Sequence, residues 1–294
     1  MPTQLHAADR TPPPTPSPAI IVTAQRRAEN NKDVPISLSR FGAEELRDRQ
    51  AVRLFDLQDA VPNLHIDTGP LGNGAPMISI RGISSTVRNV GFESGVGVYI
   101  DGVYQGRPNV SNVDLEDVAR VEVLRGPQGT LFGKNTTAGA INIVTQQPGD
   151  KPSARVALDY GNYDLKRIGG YLTGPLIAGK LSGSLSVYGL DRRGYVRNLF
   201  DGSRADSDRY TGGRAKLRAT PNDALTIDLA VDWLVENHAN MFGESRPGGH
   251  PPIDGDQDPG PYTINQNKPP RETRTNIGLS ATIGYVLPSG MKLY

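Results

Sequence analysis

Few residues in this chain have both the type and the spacing for bond-making chemistry. Gly133-Lys134-Asn135-Thr136 offers a glycine, a lysine and a hydroxyl as a phosphate-cradling loop does. That loop needs a glycine where Gln128 stands and a serine or threonine where Asn135 stands, so it cannot wrap a phosphate in that way. Asp254, Asp256 and Asp258 have the spacing that opens a calcium loop, but Pro259 replaces its obligatory glycine and Asn265 its bidentate glutamate. The four histidines, His6, His65, His238 and His250, form no metal-ligand spacing, and with no cysteine there is no thiolate chemistry and no disulfide frame. There is no nucleophile elbow and no carboxylate pair that stands out from ordinary loop charges. These residues point to no enzyme, no metal and no resident cofactor.

The chain has 294 residues, and its 32 basic and 31 acidic side chains leave a formal net charge of +1. No basic block is present, so nothing draws it electrostatically to nucleic acid. No apolar run reaches the eighteen or so residues that a spanning helix requires. A β-barrel leaves no such signal, because its strands of about ten residues alternate apolar and polar.

The segment from Asp117 to Pro148 is the most informative. It reads as a strand over Ala119 to Leu124, a glycine-rich turn, and a second strand over Ala140 to Gln146. Upstream lie Ile78-Ser79-Ile80-Arg81-Gly82 and Val98-Tyr99-Ile100-Asp101-Gly102-Val103-Tyr104, the second holding an Asp-Gly hairpin signal. Val34 to Arg40 and Asn63 to Asp67 read as strands, and Ala43 to Gln50 and Val52 to Ala60 as helices, the last stopped by Pro62. Together these make a compact α+β module. Ahead of it, the proline tract at residues 11 to 18 favours an extended tether, and Ile20-Ile21-Val22-Thr23-Ala24 is rich in β-branched residues suited to adding as a strand to another sheet.

After Pro148 the texture changes to two-residue alternation. Leu225, Ile227, Leu229, Val231, Trp233 and Val235 share one face, opposite Thr226, Asp228 and Asp232. Leu181 to Val187, Arg214 to Ala219 and Ile277 to Tyr285 repeat the pattern, which predicts about six strands and the start of another at Met291. Tight turns at Pro221-Asn222-Asp223 and Pro288-Ser289-Gly290 alternate with long polar connections over Leu199 to Asp208 and Asn237 to Arg271. Nine of the eleven tyrosines lie in this half, as an interfacial girdle would place them. On these strands alone, a soluble antiparallel sandwich is the rival reading, with a periplasmic β-rich binding module as its function.

The chain resembles the TonB-dependent outer-membrane receptors. The resemblance rests on Leu124-Arg125-Gly126-Pro127, Gly139-Ala140-Ile141-Asn142-Ile143, the central plug strand, the hairpin and the box-like Ile20 to Ala24, in the family's order. It implies a Pro-rich extension at 1–18, a TonB box at 19–25, an α+β plug domain at 26–149 and the antiparallel strands of an incomplete transmembrane β-barrel at 150–294. Since the family's barrel has about twenty-two strands, a chain stopping in mid-barrel and lacking its export signal is expected. Only eighteen residues precede the box, too few for a further signalling domain.

The resemblance also implies a function and sites. A receptor in the outer membrane of a Gram-negative bacterium, with plug and N-terminus toward the periplasm, would import a scarce solute, first an iron-siderophore complex, with haem, cobalamin, nickel complexes and oligosaccharides as other users of the scaffold. Its partners would be TonB with the ExbB-ExbD energising complex, outer-membrane lipid and the solute. In the family, arginines at the positions of Arg81 and Arg125 lock the plug to glutamates of the barrel wall, with Glu122 as a local alternative partner. The plug apex would present Asn73, Arg88, Asn89, Phe92, Gln105 and Arg107 to the ligand.

Overall fold

The computed structural model describes the backbone of residues 21–22 and 29–30, and residues 36–67, 76–84, 94–106, 114–239, 262–265, 267 and 271–293. Two short strands, β1 (Ile21–Val22) and β2 (Glu29–Asn30), pair antiparallel. The module that follows begins with β3 (Ser37–Gly42) and α1 (Ala43–Asp48), whose first turn carries Glu44 and Glu45 where the helix dipole favours them. The predicted second helix is a 3-10 helix, Leu54–Ala60, opened by the Asp56 carboxylate, which accepts from the Val52 and Arg53 backbone N–H at 2.8 Å each.

The rest of the module comprises β4 (Leu64–Asp67), β5 (Met77–Ile80), β6 (Val96–Ile100), β7 (Val103–Tyr104), β8 (Val118–Arg125), a single helical turn α2 (Gly129–Phe132) and β9 (Gly139–Thr145). Five of these strands form one sheet in the order β3-β8-β9-β6-β7, with β6 parallel to β9. Asp101 and Gly102 turn β6 into β7 with φ of 48° and 83°, the left-handed angles that an Asp-Gly hairpin supplies. One sheet face buries Val121, Val123, Ile141 and Ile143 against Leu46, Leu54, Leu57 and Ile80. The other covers Tyr99, Leu124 and Ala140 with Phe132, whose carbonyl accepts from the Tyr99 hydroxyl.

A second sheet takes up the remaining chain. It runs β10 (Ser153–Gly161), β11 (Leu165–Ile177), β12 (Leu181–Arg192), then, after a small three-stranded sheet formed by β13 (Val196–Asn198), β14 (Arg204–Ala205) and the later β17 (Thr263–Ile264), the long strands β15 (Asp208–Asn222), β16 (Leu225–His238) and β18 (Glu272–Val286), and finally β19 (Lys292–Leu293). Every neighbour in the seven-stranded order is antiparallel. The strands outrun the apolar stretches from which they are legible, since backbone pairing with a long neighbour continues past the last apolar residue. Among the described residues this wall stays open, with β10 and β19 at its edges.

The two faces of the wall differ in chemistry. Val156, Leu158, Ile168, Leu172, Leu185, Val187, Leu229, Val231, Val235, Ile277 and Leu279 point away from the plug and are exposed. Contiguous exposed apolar surface of that extent marks an interface with protein or membrane rather than with water. The opposite face carries Arg167, Tyr210, Arg214, Lys216 and Glu236, all buried. The α+β module, the plug that the resemblance implies, sits against that polar face.

Candidate functional site: the plug and wall interface

An acidic run, Asp114-Leu115-Glu116-Asp117, leads into β8 and turns its carboxylates onto the wall. Arg167 on β11 donates to Asp114 through Nη2 at 2.9 Å and Nε at 3.2 Å, and to Glu116 at 3.1 Å. Tyr210 donates its hydroxyl to Asp114 at 2.9 Å, and Arg155 pairs with Glu116 at 3.0 Å. Arg214 places Nη1 3.0 and 2.9 Å from the two oxygens of Asp117. Burial drives the Asp114 carboxyl above its ordinary pKa and prevails over the donors from Arg167 and Tyr210 that would lower it.

Two further contacts flank this cluster. Arg53, at the start of the 3-10 helix, pairs with Asp208 at 2.9 Å and stacks over the Tyr210 ring, its guanidinium carbon 4.3 Å from the centroid. Asp208 also meets His238 at 3.1 Å, and Glu236 meets His238 at 3.4 Å and Arg274 at 3.1 Å. On the far side, Lys216 donates to Asp101 at 2.7 Å, and Asp101 holds the Thr145 backbone N–H and hydroxyl at 2.9 and 2.6 Å. The plug thus docks through the half-buried Asp101, the buried carboxylates at 114, 116 and 117 and one buried cation, Arg53, each met by an opposite charge on the wall. Buried charges are tolerated only when paired in this way.

Close packing leaves no room for a side chain at two wall glycines, one against the plug and one between wall strands. A Cβ at Gly169 would stand 2.6 Å from the Glu116 carboxylate, and one at Gly278 would stand 2.6 Å from the Asp232 carboxylate. Between the β6–β7 hairpin and β15, β16 and β18 a cavity of about 630 Å³ remains, lined by Asp101, Arg120, Asn142, Lys216, Asp228 and Thr282 among others.

The residues singled out from the sequence fall differently. Arg81 lies at φ 55°, with Nη1 3.5 Å from where a Cβ on Gly126 would be, so the two arginine-glycine motifs meet. Arg125 Nε is buried without a hydrogen-bond partner among the described residues. Glu122 is turned away from Arg125: strand alternation places it on the face opposite Val121, Val123 and Arg125, where it accepts from Arg120 at 2.7 Å and Asn142 at 3.1 Å. Gln105 donates to its own hairpin at Val103 O, 3.0 Å away, and lines a small cavity with Tyr188 and Trp233. Ile21 and Val22 have extended, paired backbone, whereas Ile20, Thr23 and Ala24, together with Asn73, Arg88, Asn89, Phe92 and Arg107, lie outside the described residues. So do Asp254, Asp256 and Asp258. Gly133 to Thr136 forms a turn closed by Thr136 Oγ1 donating to Gly133 O at 2.7 Å, with no helix after it.

Comparison with known proteins gives three findings. Residues 30–140 match the family described as the TonB-dependent Receptor Plug Domain. The chain is 35% identical over 207 residues to the pesticin receptor of Yersinia pestis, covering 69% of this chain and 30% of that one, and 27% identical over 244 residues to the iron-regulated outer membrane virulence protein of Vibrio cholerae, covering 77% and 35%. It superposes on the crystal structure of the ferric yersiniabactin uptake receptor FyuA from Yersinia pestis with a TM-score of 0.76 at 28% identity, over 86% of this chain and 39% of that chain. The ferripyoverdine receptor of Pseudomonas aeruginosa, at 17% identity and a TM-score of 0.71, shares the fold. The chain spans about a third of the length of these relatives.

Proposed function

The chain belongs to the TonB-dependent receptors of the Gram-negative outer membrane, and from that premise we propose that it forms the plug and the first wall strands of an importer for an iron-siderophore complex, driven by TonB. The observation that carries this reading is the division of the wall: an exposed apolar face for lipid, and a polar face that holds a plug by buried ion pairs. Such a plug closes a pore at rest and has charged contacts to release when pulled. Two relatives named for iron regulation or ferric yersiniabactin uptake favour an iron chelate as the solute.

In this reading residues 1–18 are an extension, 19–25 the TonB box, 26–149 the plug and 150–294 the wall. Ile20 to Ala24 would add as a strand to TonB, powered through ExbB-ExbD. Arg81 and Arg125 would close onto wall glutamates, and Asn73, Arg88, Asn89, Phe92, Gln105 and Arg107 would face the ligand. The unsatisfied Arg125 Nε supports a partner for that arginine.

The test uses the full-length receptor in iron-starved cells. Uptake of labelled ferric siderophore should exceed uptake of cyanocobalamin, and Val22→Pro should abolish it while surface binding of the siderophore persists, because proline removes a ladder donor. Uptake of cobalamin alone would overturn the substrate, and full energy-dependent uptake by the proline variant would overturn the box.

A further inference from the structure

The wall carries a second charged region, on the face that points away from the plug. Cross-strand register aligns Tyr160, Lys166, Asp191 and Arg209 in one outward row. The next outward row toward the middle of the strands is Leu158, Ile168, Gly189, Thr211 and Val235. From Ile168 to Lys166 the surface therefore changes from apolar to charged within about 7 Å.

At this end the wall forms a cleft of about 390 Å³ whose lining holds six cations, Lys166, Arg204, Arg209 and Arg271 among them, against two carboxylates, Asp164 and Asp191. The pairs Arg209–Asp191 at 2.8 Å and Arg193–Asp164 at 3.3 Å are more than half exposed, so they bind their partners weakly. Lys166, Arg204 and Arg271 make no ion pair among the described residues. With Arg192 set against Asp206 at 3.9 Å, three positive charges remain in excess, with guanidinium forks suited to the oxygens of a phosphate.

Position identifies the occupant. The long connections, residues 193–207 and 239–271, leave the wall at this end, and the tight turns at 178–180 and 223–224 lie at the other, so this is the outer end of the wall. A solute on its way through the receptor would travel on the plug side; Lys166, Asp191 and Arg209 of the cleft lie in the outward row on the opposite side, next to the apolar band. A ligand there needs an anionic head and hydrocarbon chains. We propose that the cleft binds the phosphate groups of a phosphoglycolipid in the outer leaflet, its acyl chains lying over Ile168, Leu172 and Val187. The inference rests on the wall spanning the outer membrane and is independent of which solute is imported.

Purified full-length receptor in detergent, titrated with diphosphorylated lipid A and read by native mass spectrometry, tests it. The triple variant Lys166→Gln, Arg209→Gln, Arg271→Gln should bind lipid A at least about tenfold more weakly. In the unaltered receptor, removal of both lipid phosphates should weaken binding as much, while an equal concentration of inorganic phosphate should leave lipid binding unchanged. Retained heat-modifiable gel migration shows that the variant is folded and inserted. Equal binding of dephosphorylated lipid overturns the proposal even if the variant does not fold, as does equal binding by a folded variant. Displacement of the lipid by inorganic phosphate would make the cleft a site for free anions instead.

Discussion

Arg214 on the wall holds both carboxylate oxygens of Asp117 on the plug with one nitrogen, at 3.0 and 2.9 Å, and both side chains are buried. Removing one partner leaves the other charged and dry, at a cost of about 3–5 kcal/mol. Asp117→Ala should therefore loosen the plug where it enters β8, measured as faster amide exchange of Val118 to Val121 in the full-length receptor. The double replacement Asp117→Leu with Arg214→Met should recover most of the protection, since it leaves no unpaired charge. Unchanged exchange in the single variant would remove the pair from the docking account.

Gly169 makes a second, steric prediction. Its missing side chain is the space that Glu116 occupies, 2.6 Å from where a Cβ would stand, and Glu116 in turn holds Arg155 and Arg167. Gly169→Ala should push that carboxylate aside and destabilise docking by about 1–3 kcal/mol, the usual range for overpacking. Gly170→Ala on the opposite face meets a Val187 methyl at 3.5 Å and the Val187 carbonyl oxygen at 3.9 Å, both ordinary contacts, and should be nearly silent. Thermal unfolding of the two variants side by side separates them.

The contrast between these glycines and the wall strands shows what a sequence can convey. The strand from Leu225 to Val235 is legible because one face is apolar at every second residue, a property of the strand itself. β10 and β11 are harder to read: Ala157 interrupts the polar row of β10 between Arg155 and Asp159, and Gly169-Gly170 blanks both faces of β11. The docking contacts left little local trace. Arg53 and Asp208 stand 155 residues apart and Asp117 and Arg214 stand 97 apart, so neither partner can be named before the fold brings them together. The one available signal was the Asp114-Leu115-Glu116-Asp117 run, an acidic patch placed just ahead of a buried strand. The arginine motifs, by contrast, were legible only as a pattern, and the structure sets Glu122 on the other side of the sheet from Arg125.

Acid should act on the hairpin contact through Asp101. Burial raises its carboxyl, but the Lys216 ammonium and the Thr145 donors outweigh burial and hold it below the ordinary 3.8. A carboxylate with a lowered folded-state pKa contributes stability that is complete above its unfolded value and lost as pH falls through the folded one. The contact of β6–β7 with β15 should hold at pH 5, begin to weaken only below about pH 4, and be lost as pH falls through the lowered folded value. Asp114 has the opposite sign: its raised pKa means that docking loses stability as pH climbs from 3.8 toward the raised value. An environment-sensitive label at Val103→Cys would follow release of the hairpin, and Asp101→Asn should flatten the acid limb. An identical acid midpoint in both proteins would exclude Asp101.

The last prediction separates the two halves of the chain. The main apolar core, from Phe41 and Leu46 to Ile141 and Ile143, lies wholly within the plug, so residues 26–149 carry their own driving force for folding. In isolation they lose the wall's charges, and Arg53, Asp101, Asp114 and Asp117 become solvated instead of buried; solvation replaces the lost pairs at little net cost. The isolated plug should be soluble and cooperative in urea, with the 114–117 segment the first to exchange its amides. Residues 150–294 behave differently. Their described strands have edges at β10 and β19, and an unpaired backbone group in hydrocarbon costs several kcal/mol, so the segment should aggregate and fail to enter liposomes. Sedimentation and gel migration with and without heating read both outcomes. A folded, heat-modifiable band from residues 150–294 alone would mean that the wall closes on itself, as an oligomer, without any plug to organise it.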